Sequence, residues 1–305
     1  MTDNHILLIS LSNIGDAVMT TPVLQALHAK FPDAIIDIVA DKRSSEIFLN
    51  CPYRGEIIYK NKKSFLRGGP ALIGKLRSHK YDLVVDLRTD GLAWLLRADK
   101  KLTRWQSKPY GPHSVEQHMG IIHKLHGKKE IPPCCVWISK TEENYAKEVL
   151  GNYYGRNLLG LGPGANWPGK IWPCRSYLGL IERLKDCFDA VVLLGDNKDH
   201  EVSTIIAAQS RLPCIDLCGK TSLLQAAAVL KQIRFFAGND SGLGHLASGV
   251  NTPTITIFGI GDPVRYHPWG NKARWLVGDG MNIENITVEY VAAFIEDYLA
   301  ENGPD

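Results

Sequence analysis

With 305 residues, 45% of them hydrophobic, the chain exceeds one ordinary domain and has apolar residues enough for two cores. No run approaches the roughly 20 apolar residues of a membrane-spanning helix, and seven cysteines without a Cys-x-x-Cys pair argue against a disulfide framework or a zinc site and predict reduced, cytoplasmic thiols. The net charge of +3 hides an asymmetry, because residues 54–140 hold 18 Lys/Arg against 7 Asp/Glu, among them Lys60, Lys62, Lys63, Arg67, Lys100, Lys101, Arg104 and Lys108. A surface of that kind suits an anionic partner such as a phosphorylated lipid, a membrane face or nucleic acid, although solvated lysine-rich faces are also common.

In chain order, His5–Leu11 predicts a strand, broken by Ser12, Asn13 and Gly15 and without the basic flank and cleavage site of a signal peptide. A helix from about Asp16 to Lys30 follows, then a strand over Ile35–Ala40, a helix near Lys42–Leu49, and strands over Glu56–Lys60 and Asp82–Leu87. Near-continuous Val/Ile/Leu runs of this kind mark strands buried on both faces of a parallel sheet. The alternation blurs between Lys100 and Pro133, where prolines interrupt it and a helix is expected around Ser114–His126. It resumes with strands at Leu158–Gly162, Ala190–Gly195, Cys214–Leu217, Arg234–Gly238 and Thr254–Phe258. Helices are expected near Arg175–Cys187, Asp199–Ser210, Ser222–Lys231, Ser241–Val250 and Val288–Ala300. The pattern predicts an α/β protein of two doubly wound, Rossmann-like domains, 1–152 and 153–305, facing a central cleft, with the last helix free to pack back on the first domain.

Ligands of such sheets bind at the carboxyl ends of the strands, so loops there are the candidates for chemistry. Ser12-Asn13-Ile14-Gly15-Asp16 follows the first strand, and Asp16 serves as a helix N-cap, as a functional carboxylate, or as both. Gly160-Leu161-Gly162-Pro163-Gly164-Ala165 formally fits a dinucleotide fingerprint, which would mean an NAD(P)-dependent enzyme. Pro168 and Pro173, however, stand where its phosphate-binding helix should run. What remains is a Gly/Pro loop with one cation, Lys170, between two tryptophans. Gly238-Asn239-Asp240-Ser241-Gly242-Leu243-Gly244-His245 opens a helix whose free amides suit a phosphate, while the spacing of its Asp, Ser and His does not suit a hydrolase triad. Asp199-His200-Glu201 offers a carboxylate for ribose hydroxyls, and no ligand cluster predicts a required metal.

Three segments in order resemble glycosyltransferase family 9, the ADP-heptose:lipopolysaccharide heptosyltransferases, across nearly the whole chain. They are Asn13-Ile14-Gly15-Asp16 through Thr21-Pro22-Val23-Leu24, then Gly162-Pro163-Gly164-Ala165 with Lys170-x-Trp172-Pro173, and Asn239-Asp240-Ser241-Gly242-Leu243-Gly244-His245-Leu246-Ala247. The resemblance implies a GT-B architecture with an acceptor-binding first domain, a nucleotide-sugar-binding second domain, and inverting transfer without an essential metal or cofactor. It makes Asp16 the general base, and it makes Lys170 with the amides of Ser241, Gly242 and Leu243 the stabilisers of the departing diphosphate. It further places Ala165, Asn166, Asp199 and Thr221 along the donor, with Asp240 and His245 shaping the phosphate site. The basic segment, with Lys60, Lys62, Lys63 and Arg67, becomes an acceptor face for an anionic lipopolysaccharide core at the inner side of the cytoplasmic membrane, and nucleic acid is no longer an expected partner. Phe258-Gly259-Ile260-Gly261-Asp262-Pro263 departs from the family, which has Pro-Thr after Phe-Gly, so another nucleotide sugar, or a non-catalytic binding protein, stays open.

Overall fold

His5–Ile9 (β1), Ile35–Asp41 (β2), Arg54–Lys60 (β3), Tyr81–Asp86 (β4) and Ala98–Leu102 (β5) form a wholly parallel sheet in the order β3-β2-β1-β4-β5. The computed structural model describes residues 5–60, 65–127 and 130–303, with backbone alone over 65–68, so Lys62, Lys63 and the Arg67 side chain lie outside the described residues. Ile6, Leu7, Leu8 and Ile9 are all buried, as expected of a central strand with helices on both faces.

The helix expected over 16–30 is two helices, Ile14–Val18 (α1) and Thr21–Lys30 (α2). Pro22 lies at the start of α2, and the Thr20 and Thr21 hydroxyls donate to the carbonyls of Ala17 and Val18 at 2.7 Å each, satisfying groups a continuous helix would have bonded. The region expected helical over 42–49 is a single 3-10 turn, Ser45–Phe48. Phe65–Arg77 (α3) and strand β5 have no counterpart in the expected pattern. Ser114–Ile121 (α4) and His123–His126 (α5) divide the helix expected over 114–126 at Ile122.

A second unit begins with Lys140–Leu150 (α6) and contains Leu158–Gly162 (β6), Cys174–Arg183 (α7), Ala190–Leu193 (β7), His200–Gln209 (α8) and Cys214–Asp216 (β8). Leu223–Leu230 (α9), Phe235–Asn239 (β9), Gly242–Gly249 (α10), Thr254–Phe258 (β10), Pro263–Tyr266 (α11), Ala273–Val277 (β11) and Val288–Asn302 (α12) complete it. Its six strands are parallel in the order β11-β10-β9-β6-β7-β8, the Rossmann order with β6 as the first strand.

The two compact units divide between Trp137 and Ile138, not at residue 152. The reason lies in α6, capped by the Ser139/Glu142 box, which packs on α9. There Lys231 pairs with Glu143 at 3.2 Å and the Tyr145 hydroxyl donates to the Lys220 carbonyl at 3.2 Å. The last helix, α12, packs on α7 of its own unit, with Arg183–Glu296 at 2.8 Å and Val291, Ala292 and Ile295 in the second core. Its apolar stripe is therefore spent within the second unit, whereas the sequence left it free to fold onto the first. All seven cysteines are free thiols. Among the described residues, no helix is long and apolar enough to cross a membrane.

Candidate active site

In each sheet the strand order reverses beside the first strand, between β1 and β4 in one unit and between β6 and β9 in the other. Such switch points leave a gap between diverging loops at the carboxyl edge, where ligands of open α/β sheets bind. All three sequence motifs fall on loops leaving these strands: 10–16 after β1, 163–172 after β6 and 240–245 after β9.

In the second unit the organising side chain is Asn239, the last residue of β9, which is fully buried. Its Oδ1 accepts from the Trp172 amide at 3.0 Å and from the Tyr177 hydroxyl at 2.9 Å, and its Nδ2 donates to the Pro163 carbonyl at 2.7 Å. One neutral side chain thus staples the whole 163–172 loop to the switch point, with no charge to desolvate. Trp172, 1% exposed and donating from Nε1 to the Ile286 carbonyl at 2.8 Å, anchors that loop in the core. Lys170, two residues earlier, is thereby held at the sheet edge in an ion pair with Asp240.

Ser241 caps α10, its Oγ accepting from the Leu243 amide at 3.4 Å, and the first-turn amides of Gly242 and Leu243 open the helix. A Cβ at Gly244 would meet Thr256 Oγ1 at 2.9 Å, so glycine there lets α10 lie close on β10. The loop after β10 comes to the same place: the Ile260 amide donates to the Gly169 carbonyl at 3.3 Å, and a Cβ at Gly261 would meet Asp240 Oδ2 at 3.3 Å. The Gly259-Ile260-Gly261 segment, where the sequence departs from the family it resembles, is therefore packed on the Lys170 loop. The result is a cation, a helix N-terminus and small residues converging, which is the chemistry of a diphosphate site.

Asp199 and Thr221 belong to the same face. The Asp199 carboxylate fills the space that side chains at Gly164 and Gly195 would need, and accepts from the Asp196 amide at 2.8 Å in a capping box. Burial pushes its carboxyl up, with Asp196 adding to the effect against the hydrogen bond from the Asp196 amide. The Gly219 amide donates to the Gly195 carbonyl at 3.0 Å, drawing the half-buried Thr221 beside that loop. Ala165 is half-buried, Asn166 is exposed, and His245 is 6% exposed within α10. Gly160 and Gly162, the fingerprint glycines, lie in β6 where a side chain would strike Phe236, and only a 3-10 turn, Pro168–Lys170, precedes the α-helix that begins at Cys174. Strand packing therefore accounts for them, and the dinucleotide reading has no phosphate-binding helix.

In the first unit Asp16 is not the N-cap. Asn13 holds that position, and its Nδ2 donates to Asp16 Oδ2 at 2.8 Å, leaving the half-buried carboxylate in the first turn of α1 at the carboxyl end of β1. Opposite it, the 87–90 loop after β4 carries Arg88, which donates to Ser12 Oγ and pairs with Asp90 at 3.0 Å. Asp86 caps this loop from beneath, accepting from the Arg88 amide at 3.0 Å and the Thr89 amide at 2.8 Å. Lys60, expected on an open basic face, is instead 7% exposed and paired with Asp90, because it ends β3 beside the charged loop. Asn239 falls inside the motif that the sequence singles out, but its role as the staple is not legible there, and neither Asp86 nor Arg88 stands out. For Asp86 the one available signal is an Asp at the end of an apolar strand followed by a polar turn.

The sequence pattern of glycosyltransferase family 9 (heptosyltransferase) matches residues 70–287. Lipopolysaccharide heptosyltransferase 2 of Escherichia coli K12 is 28% identical, over 88% of this chain and 86% of that protein. Among solved structures, E. coli ADP-heptose lps heptosyltransferase II superposes with a TM-score of 0.82 at 24% identity, covering 98% of this chain and 99% of that one. A family 9 glycosyl transferase from Veillonella parvula does so with a TM-score of 0.87 at 21% identity, covering 99% of each. The two parallel-sheet units are those of a GT-B fold.

Proposed function

Because the chain belongs to glycosyltransferase family 9 (heptosyltransferase), we propose that it transfers a heptose from ADP-heptose to an anionic, lipid-borne lipopolysaccharide inner-core acceptor, with inversion at the anomeric carbon. The acceptor hydroxyl oxygen attacks that carbon, the bond from the carbon to the diphosphate oxygen breaks, and ADP leaves. Asp16 takes the hydroxyl proton, a role suited to a carboxylate set at a strand end by Asn13. Negative charge develops on the departing diphosphate. Lys170 and the α10 amides are prearranged for it, so little reorganisation is needed at the moment of transfer. Asp240 holds Lys170 in place before the donor arrives, and the diphosphate then competes for the ammonium.

The observation that carries this reading is the convergence of Lys170 and the Ser241–Leu243 turn on one switch point, stapled by Asn239. Work at the inner face of the cytoplasmic membrane follows from the acceptor. Turnover on a lipopolysaccharide-core acceptor, with ADP-heptose, UDP-sugars and NADH compared by thermal shift, tests it. ADP-heptose alone should stabilise and turn over, and Asp16→Ala should cut kcat by about 10²–10⁴-fold with donor stabilisation retained. A response confined to UDP-sugars would replace the donor, and an Asp16→Ala enzyme with full kcat would remove the base.

A further inference from the structure

Strand β5 is an outer edge of the first sheet, pairing among the described residues only with β4. Two 3-10 turns bracket it, Leu92–Leu95 before and Arg104–Gln106 after. In the first turn Leu92 and Ala93 go into the core, which turns Trp94 and Leu95 outward at 55% and 50% exposure. In the second, Trp105 is 80% exposed. The Arg104 amide donates to Thr89 Oγ1 at 3.1 Å, bringing the second turn back to the loop that leads into the first. Single exposed apolar residues are ordinary, but two tryptophans and a leucine on the turns around one edge strand are not scattered.

The charged residues among them are nearly all cations. Residues 91–108 contain five Lys/Arg and a single acid, Asp99, which is tied to Lys80 at 2.8 Å. Lys101 lies over the Trp94 ring, 6.0 Å from its centroid, and Lys100, its neighbour on the strand, and Arg104 are exposed. A second copy of the chain would bring the same five cations against these, and lysines on an edge strand also discourage strand pairing. Tryptophan prefers the boundary between water and hydrocarbon, and long cations reach from such a boundary to phosphate.

We propose that the β5 edge and its two flanking turns dock on an anionic bilayer surface, with Trp94, Leu95 and Trp105 entering the headgroup layer and the cations meeting lipid phosphates. The choice of a bilayer over another polyanion rests on the lipid-borne acceptor proposed above. The surface would hold the enzyme where that acceptor is displayed.

The test uses the full chain with phosphatidylcholine vesicles, with and without phosphatidylglycerol, read by co-sedimentation and by tryptophan quenching from brominated lipids. Binding should require phosphatidylglycerol, weaken with salt, and fall about fivefold in Lys100→Ala. The double variant Trp94→Ser/Trp105→Ser should bind at least about tenfold more weakly. It should keep the wild-type melting temperature and full turnover on a soluble, delipidated core acceptor, since both rings are exposed. Equal binding by the double variant, equal binding to both vesicle types, or stronger protection of the tryptophans by single-stranded DNA than by vesicles would overturn the proposal. Absence of turnover on the soluble acceptor would instead strike the transferase reading, so the two failures are separable.

Discussion

The two switch points occupy equivalent positions in sheets of matching order, yet they are built from different materials. Beside β6 and β9 a neutral, fully buried Asn239 holds the loops through backbone groups, and glycines allow them to approach. Beside β1 and β4 the loops are held by charges: Arg88 with Ser12 and Asp90, Asp90 with Lys60, and Asp86 beneath them. A neutral staple leaves the one cation of its loop available to a diphosphate. A charged network makes the loops around Asp16 depend on charges that substitution can remove.

The largest effect that would sharpen this contrast is expected at the staple. Asn239→Ala strands the Trp172 amide and the Pro163 carbonyl without their partner, while the Tyr177 hydroxyl keeps the Gly162 carbonyl at 3.2 Å as its acceptor. At about 1 kcal/mol for each stranded group, the loss is about 2 kcal/mol, read as a melting temperature lowered by about 4–8 °C. A loss under about 1 kcal/mol would mean that the loop is held by packing alone.

Lys170→Ala comes next, because it removes the cation and leaves the α10 amides. We expect a drop of about 10²-fold in kcat/KM with ADP-heptose, and a smaller thermal shift on adding ADP. An unchanged kcat/KM would mean that the helix terminus is sufficient and that the Lys170–Asp240 pair is only structural.

The smallest effect separates the charged side of the comparison. Burial pushes the Asp86 carboxyl above the usual range, and Asp90 adds to this against hydrogen bonds from the Thr89 and Arg88 amides. With its pKa raised in the folded state, the folded protein binds more protons than the unfolded chain between the ordinary and the raised value. Stability therefore falls as pH rises through that window, and the cost is fully present above it. Asp86→Asn keeps an accepting oxygen and removes the charge, so it should gain about 1 kcal/mol or less at pH 7 and lose that advantage below the ordinary carboxylate range. An advantage independent of pH, followed by thermal unfolding, would break the argument.

How far the sequence reached varied with the type of residue. Strands β6 and β10 were legible to the residue, since burial on both faces demands unbroken apolar runs. Strands β5 and β11 were not, because edge strands such as Ala98–Leu102 carry charges that erase the pattern. Helix α6 is absent from the expected pattern although Ser139 and Glu142 spell its capping box, so the expected domain division at 152 follows that helix, whereas the compact units divide before it.

By itself the sequence determined two parallel α/β units, the strand-end loops that carry Asp16, Lys170 and Ser241, and the family. Each of these follows from local periodicity or from motifs contiguous in the chain. Only the tertiary structure decided that Asn239 staples the donor-side loop, that Lys60 is buried against Asp90, and that Trp94 and Trp105 flank one basic edge. Those are pairings between residues 30 to 76 positions apart, or choices of which face a side chain takes, and neither is encoded in any short window of sequence.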